Sequence, residues 1–396
     1  MKILVVCQYY SPEPFRHPDI CEELARRGND VFVVTGTPNY PMGRVYPGYE
    51  KGKRKDEVIN GVRVHRCKTV ERKNSAIFRI LNYLSFVFYS TRYIKKLKES
   101  FDVVFVNQLS PVIMAKAAIK YKRKQNVPMV LYCLDLWPES AVVGGVKKGD
   151  PAYKLLHRIS EKIYKSADRI LVSSRYFSEY FEKEFGISDT VHLPQYAEEI
   201  FSPDNCFKEP DGSVDLMFAG NIGAAQSVDT IIDAAALLTG IKNLKIHIVG
   251  DGSELERLKA KAKDMPQIIF HGRHPIEKMP EYYAMADACL VTLKSGELAA
   301  TLPGKVQTYF AAGKPVIAAA DGETERVIAE SESGFCGAAE DSKALAENIK
   351  RFAEADKQKL SQNARGYYEK NYSKKAFVNE LEKALDSYAS NNTEKR

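Results

Sequence analysis

The sequence predicts an α/β protein of two Rossmann-like, doubly wound domains facing a central cleft. Short runs rich in Val and Ile alternate with segments of helical periodicity, the pattern of a parallel sheet covered on both faces. The alternation breaks once, at a polar, Pro-rich stretch over 194–213, and then starts again. A chain of 396 residues with 44% hydrophobic and 28% charged residues has material for two ordinary cores.

In the first half, strands are expected at 2–7, 30–35, 102–106, 128–133 and 169–173. Helices are expected between them at 17–28, 111–125, 151–166 and 175–185. Pro194, Pro203 and Pro210, with Asp204, Asn205, Asp211 and Gly212, mark the link. Beyond it, strands are expected at 214–218, 244–249, 268–270, 288–293 and 315–319. The helices there are expected near 227–238, 253–263, 277–285, 305–312, 341–354 and 357–369. The expected boundaries are therefore 1–195 for the first domain, 196–213 for the linker and 214–373 for the second domain. An amphipathic closing helix and tail take up 374–396, frayed over Asn391 to Arg396. The segment 76–89 is apolar nearly all round and turns basic at Arg92, Lys95, Lys96 and Lys98. It is either a buried helix or one that docks on a lipid surface.

Composition narrows the function classes. The seven cysteines are scattered, odd in number and without CxxC spacing, so neither a disulfide framework nor a zinc site is expected. Buried core thiols in a reducing cytosol fit better. Met1 to Cys7 reads as a strand rather than a signal peptide, and no run of about 18 apolar residues exists to span a bilayer. The net charge of +7 comes largely from basic clusters in the first half. These are solvated helix faces or contacts to an anionic membrane surface, and no nucleic-acid partner is expected.

In open parallel sheets, ligands bind beyond the carboxyl ends of the strands, so the loops there are the places to look. The first is Phe218-Ala219-Gly220-Asn221-Ile222-Gly223-Ala224-Ala225-Gln226, a strand, a glycine turn and a helix start. Glycines let backbone approach a ligand, and a helix start offers free N–H groups to phosphate. The spacing is not GxGxxG, so nicotinamide binding is not supported. Gly250-Asp251-Gly252-Ser253 repeats the pattern, with Asp251 or Ser253 either capping a helix or meeting a ligand. Arg273 follows the next strand, where a cation could meet a diphosphate. In Leu302-Pro303-Gly304-Lys305, a helix begins with a lysine. A lysine is unfavourable beside the positive end of a helix dipole unless an anion is bound there, and this argues for a phosphate site.

The segment from Pro303-Gly304-Lys305 to Gly313-Lys314-Pro315-Val316, with Gly220-Asn221-Ile222-Gly223 upstream, resembles the family 4 glycosyltransferases of the GT-B fold. Two segments of the first half, Thr35 to Tyr49 and Leu134-Asp135-Leu136-Trp137-Pro138-Glu139-Ser140, are similar to the amino-sugar transferase branch of O-antigen and capsule synthesis. The resemblance covers nearly the whole chain. It implies transfer of a sugar from a nucleoside diphosphate, with UDP the expected carrier, to a lipid-linked or glycan hydroxyl. Retention at the anomeric carbon is implied, with no metal and no other cofactor, and no Asp-x-Asp occurs in the chain. The enzyme would work in the cytoplasm, peripherally on the inner face of the cell membrane. An epimerase of amino sugars and a non-catalytic nucleotide-sugar-binding partner are the alternatives.

On this resemblance the first domain faces the acceptor and the second holds the donor. The implied donor contacts are Gly220, Asn221, Gly223, Gln226, Gly250, Asp251, Gly252, Gln307 and Thr308. The implied catalytic residues are Arg273, Lys305 and Asp135. The acceptor contacts are Glu13, Arg16, His17, Asn39, Tyr40, Arg44, Trp137 and Glu139. The family's two glutamates, separated by seven intervening residues, are replaced by Ala300 and Thr308, with Glu297 nearby but out of register. The turn Gly223-Ala224-Ala225-Gln226 also lacks the cations common there. Arg273 and Lys305 are therefore expected to supply the positive charge, and Thr308 part of the ribose contact. Arg16 or His17 would bind an acceptor phosphate, His17 being otherwise a solvated helix-start residue. Trp137 would serve packing or as a sugar platform. Asp135 and Glu139 would steady positive charge at the anomeric carbon.

Overall fold

Eight strands build the first sheet: β1 (Lys2–Val6), β2 (Asp30–Gly36), β3 (Asp56–Ile59), β4 (Val62–Cys67), β5 (Val103–Gln108), β6 (Met129–Cys133), β7 (Arg169–Val172) and β8 (Thr190–His192). Their order is β3-β4-β2-β1-β5-β6-β7-β8, and every pair is parallel except β3 with β4. Ile3, Leu4, Val5 and Val6 are all fully buried, as a strand covered on both faces requires. The second sheet is wholly parallel, with β9 (Val214–Ala219), β10 (Leu244–Val249), β11 (Ile268–Gly272), β12 (Ala288–Thr292), β13 (Val316–Ala319) and β14 (Gly334–Gly337) in the order β11-β10-β9-β12-β13-β14. Strand order reverses between β1 and β5 in the first sheet and between β9 and β12 in the second, so each sheet has a crevice at those carboxyl ends. This computed structural model describes residues 1–73, 75–143, 145–238, 240–241, 243–296 and 302–393. Ala300, Glu297 and the last three residues lie outside the described residues.

Four strands go beyond the sequence expectation: β3, β4, β8 and β14. The first two form a hairpin around Asn60-Gly61, both at positive φ (47° and 84°), the backbone a two-residue hairpin turn needs. At β14, a side chain at Gly334 would lie 1.9 Å from the Val316 carbonyl oxygen, so only glycine lets the strand pair there.

The chain divides into two units. One contains Met1–Ser173, Phe177–Leu193 and Val378–Arg396, and the other contains Ser174–Tyr176 and Pro194–Phe377. The Pro-rich stretch expected as a polar linker is packed into the second unit. Ala197, Phe201 and Cys206 are buried in one core cluster with Tyr283, Tyr309 and Phe310. Lys208 Nζ bonds Asp215 Oδ2 at 2.6 Å and Asp287 Oδ2 at 2.8 Å, which ties the stretch to the start of β9. The final helix, Lys374–Thr393, buries Phe377, Val378, Leu381 and Leu385. Its Asn379 and Glu382 accept hydrogen bonds from Arg27, and Glu382 also accepts one from Asn29.

Six of the seven cysteines are buried and all are free thiols. Burial pushes the Cys67 thiol up to about 12. The apolar segment at 76–89 lies in a helix, Ala76–Lys96, that buries only Asn82, Phe86, Ser90 and Ile94. The fully buried alternative is thereby corrected: most of its large apolar side chains face outward. Among the described residues, no helix is long and apolar enough to cross a membrane.

Candidate functional site

Three glycine turns follow β9, β10 and β11, and they are laced to one another. Gly220 N–H donates to the Val249 carbonyl (2.9 Å), Ile222 N–H to that of Asp251 (2.8 Å), and Gly250 N–H to that of Gly272 (2.8 Å). A Cβ on Gly250 would sit 1.8 Å from the Gly220 carbonyl oxygen, and one on Gly252 would sit 2.3 Å from that of Ile222. These two glycines are demanded by backbone packing between turns. Gly220 has φ of 144°, and a Cβ there would meet Lys305 Nζ at 3.1 Å. Its missing side chain is what leaves room for the lysine.

The turns border a cavity of about 510 Å³. Gly220, Asn221, Gly250 and Asp251 line one side, and Arg273, Lys305 and Thr308 line another. Phe201, Ile276, Met279 and Tyr283 supply an apolar wall, with Glu198 and His274 at the margin. Lys305 stands at the start of the helix Gly304–Ala311, behind Pro303. Its ammonium lies 3.9 Å above the Phe218 ring and donates to Gln226 Oε1 at 2.7 Å. Both partners are uncharged, and burial drives its pKa down to about 7. Among the described residues no carboxylate pairs with it. Arg273 is exposed and likewise makes no ion pair among the described residues. Two basic side chains and a helix N-terminus thus meet on one concave surface with no carboxylate partner among the described residues, the chemistry that holds a phosphate or diphosphate.

Both halves of the chain match models of known protein families. Residues 17–193 match the family model described as a glycosyl transferase 4-like domain, and residues 213–355 match the one for glycosyl transferases group 1. The chain belongs to the glycosyltransferases that these two models together describe. It is 32% identical over 260 residues to the probable glycosyltransferase WbjE of Pseudomonas aeruginosa, covering 62% of this chain and 64% of that one. It is 25% identical over 350 residues to the putative colanic acid biosynthesis glycosyl transferase WcaI of Escherichia coli, covering 82% and 84%. The crystal structure of Anabaena HepE in complex with UDP and glucose superposes with a TM-score of 0.67 at 15% identity, over 98% of this chain and 100% of that one. At such low identity the likeness shows the fold, the GT-B architecture of two parallel-sheet domains.

Within this glycosyltransferase, Asp251 and Thr308 are the remaining donor-side residues that line the cavity, whereas Gly223, Gln226, Gly252 and Gln307 do not. Gln226 holds Lys305, and its carbonyl accepts from Thr292 Oγ1 at 2.6 Å. Gly223 lies where a side chain would strike Asn221 Nδ2 at 2.7 Å. Asp251 Oδ1 accepts from Gly252 N–H at 2.7 Å, a local cap that leaves the residue exposed. Thr308 Oγ1 donates to the Gly304 carbonyl at 3.3 Å. Gln307 is buried and does not reach the cavity, because its position on the helix faces the core rather than the turns. His274, Glu198, Phe201 and Met279 escaped the sequence reading. His274 was legible as the neighbour of Arg273, whereas Glu198 and Phe201 come from the stretch taken for a linker.

The acceptor-side residues gather in the first unit. Glu13 is buried and accepts three backbone N–H groups, from Tyr10 (3.1 Å), Asn39 (2.8 Å) and Tyr40 (2.8 Å). Burial outweighs these bonds and lifts its carboxyl to about 7. Its role is to pin the loop after β1 to the loop after β2. Asn39 is equally committed: Oδ1 accepts from Arg72 N–H and Asn82 Nδ2, and Nδ2 donates to the Thr37 carbonyl. The Tyr40 ring packs on Tyr9 and Phe15, with the Arg72 guanidinium 5.1 Å from its centre.

His17 is neither a solvated helix-start residue nor a phosphate-binding cation. It is buried beside Phe15, neither ring nitrogen has a hydrogen-bond partner, and burial pushes its pKa down to about 3. Arg16 is half-buried at the start of that helix, and Arg44 is exposed. Asp135 accepts hydroxyl hydrogen bonds from Ser110 and Ser140, and Ser110 also accepts from Trp137 Nε1 at 2.7 Å. Trp137 and Asp135 are thus joined through one serine. Glu139 is occupied structurally by Tyr153 (2.7 Å), Tyr180 (2.9 Å) and Lys148 (2.9 Å). Burial alone would raise its carboxyl, yet these partners hold it below the usual range.

Proposed function

We propose that this glycosyltransferase transfers a hexosyl unit from a UDP-sugar to a lipid-linked or glycan hydroxyl in cell-surface polysaccharide synthesis, at the inner face of the cytoplasmic membrane. The observation that carries the donor half is the cavity in which Lys305 stands at a helix N-terminus, beside Arg273, without a carboxylate partner among the described residues. The ligands of HepE, UDP and glucose, and the colanic acid pathway in the name of WcaI support the choice of donor and product class.

As the bond from the anomeric carbon to the diphosphate oxygen breaks, negative charge grows on the leaving group. In this reading Lys305 and Arg273 stabilise that charge, the role a divalent metal would otherwise fill. Retention fits a reaction in which the leaving phosphate takes the acceptor proton on the face it departs from. The apolar wall of Ile276, Met279 and Tyr283 suits the nucleoside. Turnover of a panel of UDP-hexoses with lipid-linked acceptors, with and without a chelator, tests the proposal. Lys305→Ala should lower kcat by about 100-fold or more, the usual loss for a group that stabilises transition-state charge. Undiminished turnover would overturn the assignment.

A further inference from the structure

We propose that the outward face of the helix Ala76–Lys96 is the surface by which the protein docks on an anionic lipid bilayer, lying in the plane of the interface. The inference deepens the membrane part of the reading above and rests on it. It is carried by an inverted distribution of polarity. The inward face holds Asn82 and Ser90 along with Phe86 and Ile94. Asn82 is used up there, with Nδ2 donating to the Val70 carbonyl at 2.6 Å and Oδ1 accepting from Gln8 at 2.8 Å. The outward face holds Ile77, Ile80, Leu81, Leu84 and Phe88, exposed by 69, 56, 43, 51 and 61%. Their spacing follows one side of a helix, and a contiguous apolar strip of this kind marks an interaction surface.

Charge decides the partner. At about 100° per residue, Arg92 and Lys95 continue the apolar strip on the same side, and Lys96 follows. The sequence from 75 to 98 contains no Asp or Glu. The helix Lys116–Gln125 packs against it and adds exposed Lys116, Lys120 and Arg123. Lys124 Nζ bonds the Lys95 and Leu97 carbonyls at 3.0 and 2.5 Å, fixing that basic corner to the end of the apolar helix. An apolar strip leading into an acid-free basic end fits acyl chains beneath anionic head groups. A second copy of this chain would bring its own basic residues to the same surface.

Flotation with vesicles of phosphatidylglycerol and phosphatidylcholine in equal parts, and of phosphatidylcholine alone, tests this. The wild type should float with the anionic vesicles and bind the neutral ones far more weakly. The double variant Leu84→Glu, Phe88→Glu changes exposed side chains only, and an unchanged thermal melt together with unchanged UDP affinity reports that both units are folded. It should lose at least tenfold in vesicle binding, and Arg92→Gln and Lys95→Gln about fivefold each. The proposal fails if wild type ignores anionic vesicles or if the double variant binds them like wild type. It also fails if the wild type is a dimer that the double variant splits. A wild type that binds UDP but no vesicle would sink the docking surface alone and leave the transferase reading standing.

Discussion

Raising the pH should weaken donor binding through a single lysine. With its pKa held near 7 by burial, Lys305 is charged at about pH 6 and neutral in all but roughly one molecule in 30 at about pH 8.5. A bound diphosphate restores the charge, because an adjacent anion favours the ammonium form. If only that form grips the donor, affinity for a UDP-sugar should fall roughly 30-fold between those pH values, about 2 kcal/mol. Neither Arg273, whose guanidinium stays charged, nor the diester diphosphate of the donor titrates in this window. Calorimetric titration in two buffers of different ionisation enthalpy measures both affinity and proton uptake. Close to one proton per donor should be taken up at about pH 8.5, and none in Lys305→Met. Affinity flat with pH in the wild type, or an equal pH dependence in Lys305→Met, would refute the reasoning.

Other perturbations separate binding from scaffolding. Lys305→Met should stabilise the ligand-free protein by about 1 kcal/mol near pH 7 while abolishing UDP-induced stabilisation, both visible in thermal melts. The sign follows from the depressed pKa: the unfolded chain holds the extra proton between about pH 7 and the ordinary lysine value, so this group's penalty on stability fades as pH rises through that window. Gly250→Ala puts a methyl 1.8 Å from the Gly220 carbonyl oxygen and should cost about 3 kcal/mol or more in denaturant unfolding, with loss of UDP binding. Arg273→Ala, at an exposed cation, should leave stability unchanged and raise the apparent Kd for UDP roughly tenfold. Glu13 has a raised folded pKa, so its contribution to stability should fall as pH rises from about 4.5 to 7. Glu13→Gln should flatten that part of the melting profile.

Sequence periodicity shows which faces are buried but not which backbones must touch. The Val and Ile runs of β1, β2 and β5 were legible because strands buried on both faces admit little else. The β3–β4 hairpin carried its signal in Asn60-Gly61, yet exposed Val58 and charged Asp56 and Glu57 obscured the strand. Lys305 could be read as an anion-seeking residue because a cation at a helix start is locally unfavourable. Its depressed pKa could not, since that depends on Phe218 and on the space left by Gly220, both distant in sequence. His17, Glu139 and Gln307 were misplaced for a related reason. Each is polar and lies beside a loop, but its partners or its burial come from other elements: Phe15 beside His17, Tyr153 and Tyr180 on Glu139, and the core-facing side of its helix for Gln307. Phe201 and Cys206 show the same limit, since one buried aromatic in a Pro-rich stretch has no period to reveal it.

The most direct test is a thermal-shift series with UDP, other nucleoside diphosphates and UDP-hexoses on the wild-type protein and Lys305→Ala. A ligand at about 100 times its Kd should stabilise the wild type by roughly 2.7 kcal/mol. UDP compounds are expected to produce that shift in the wild type and little or none in Lys305→Ala. The absence of a shift with every nucleoside diphosphate, or equal shifts in both proteins, would contradict the assignment of this cavity to the donor.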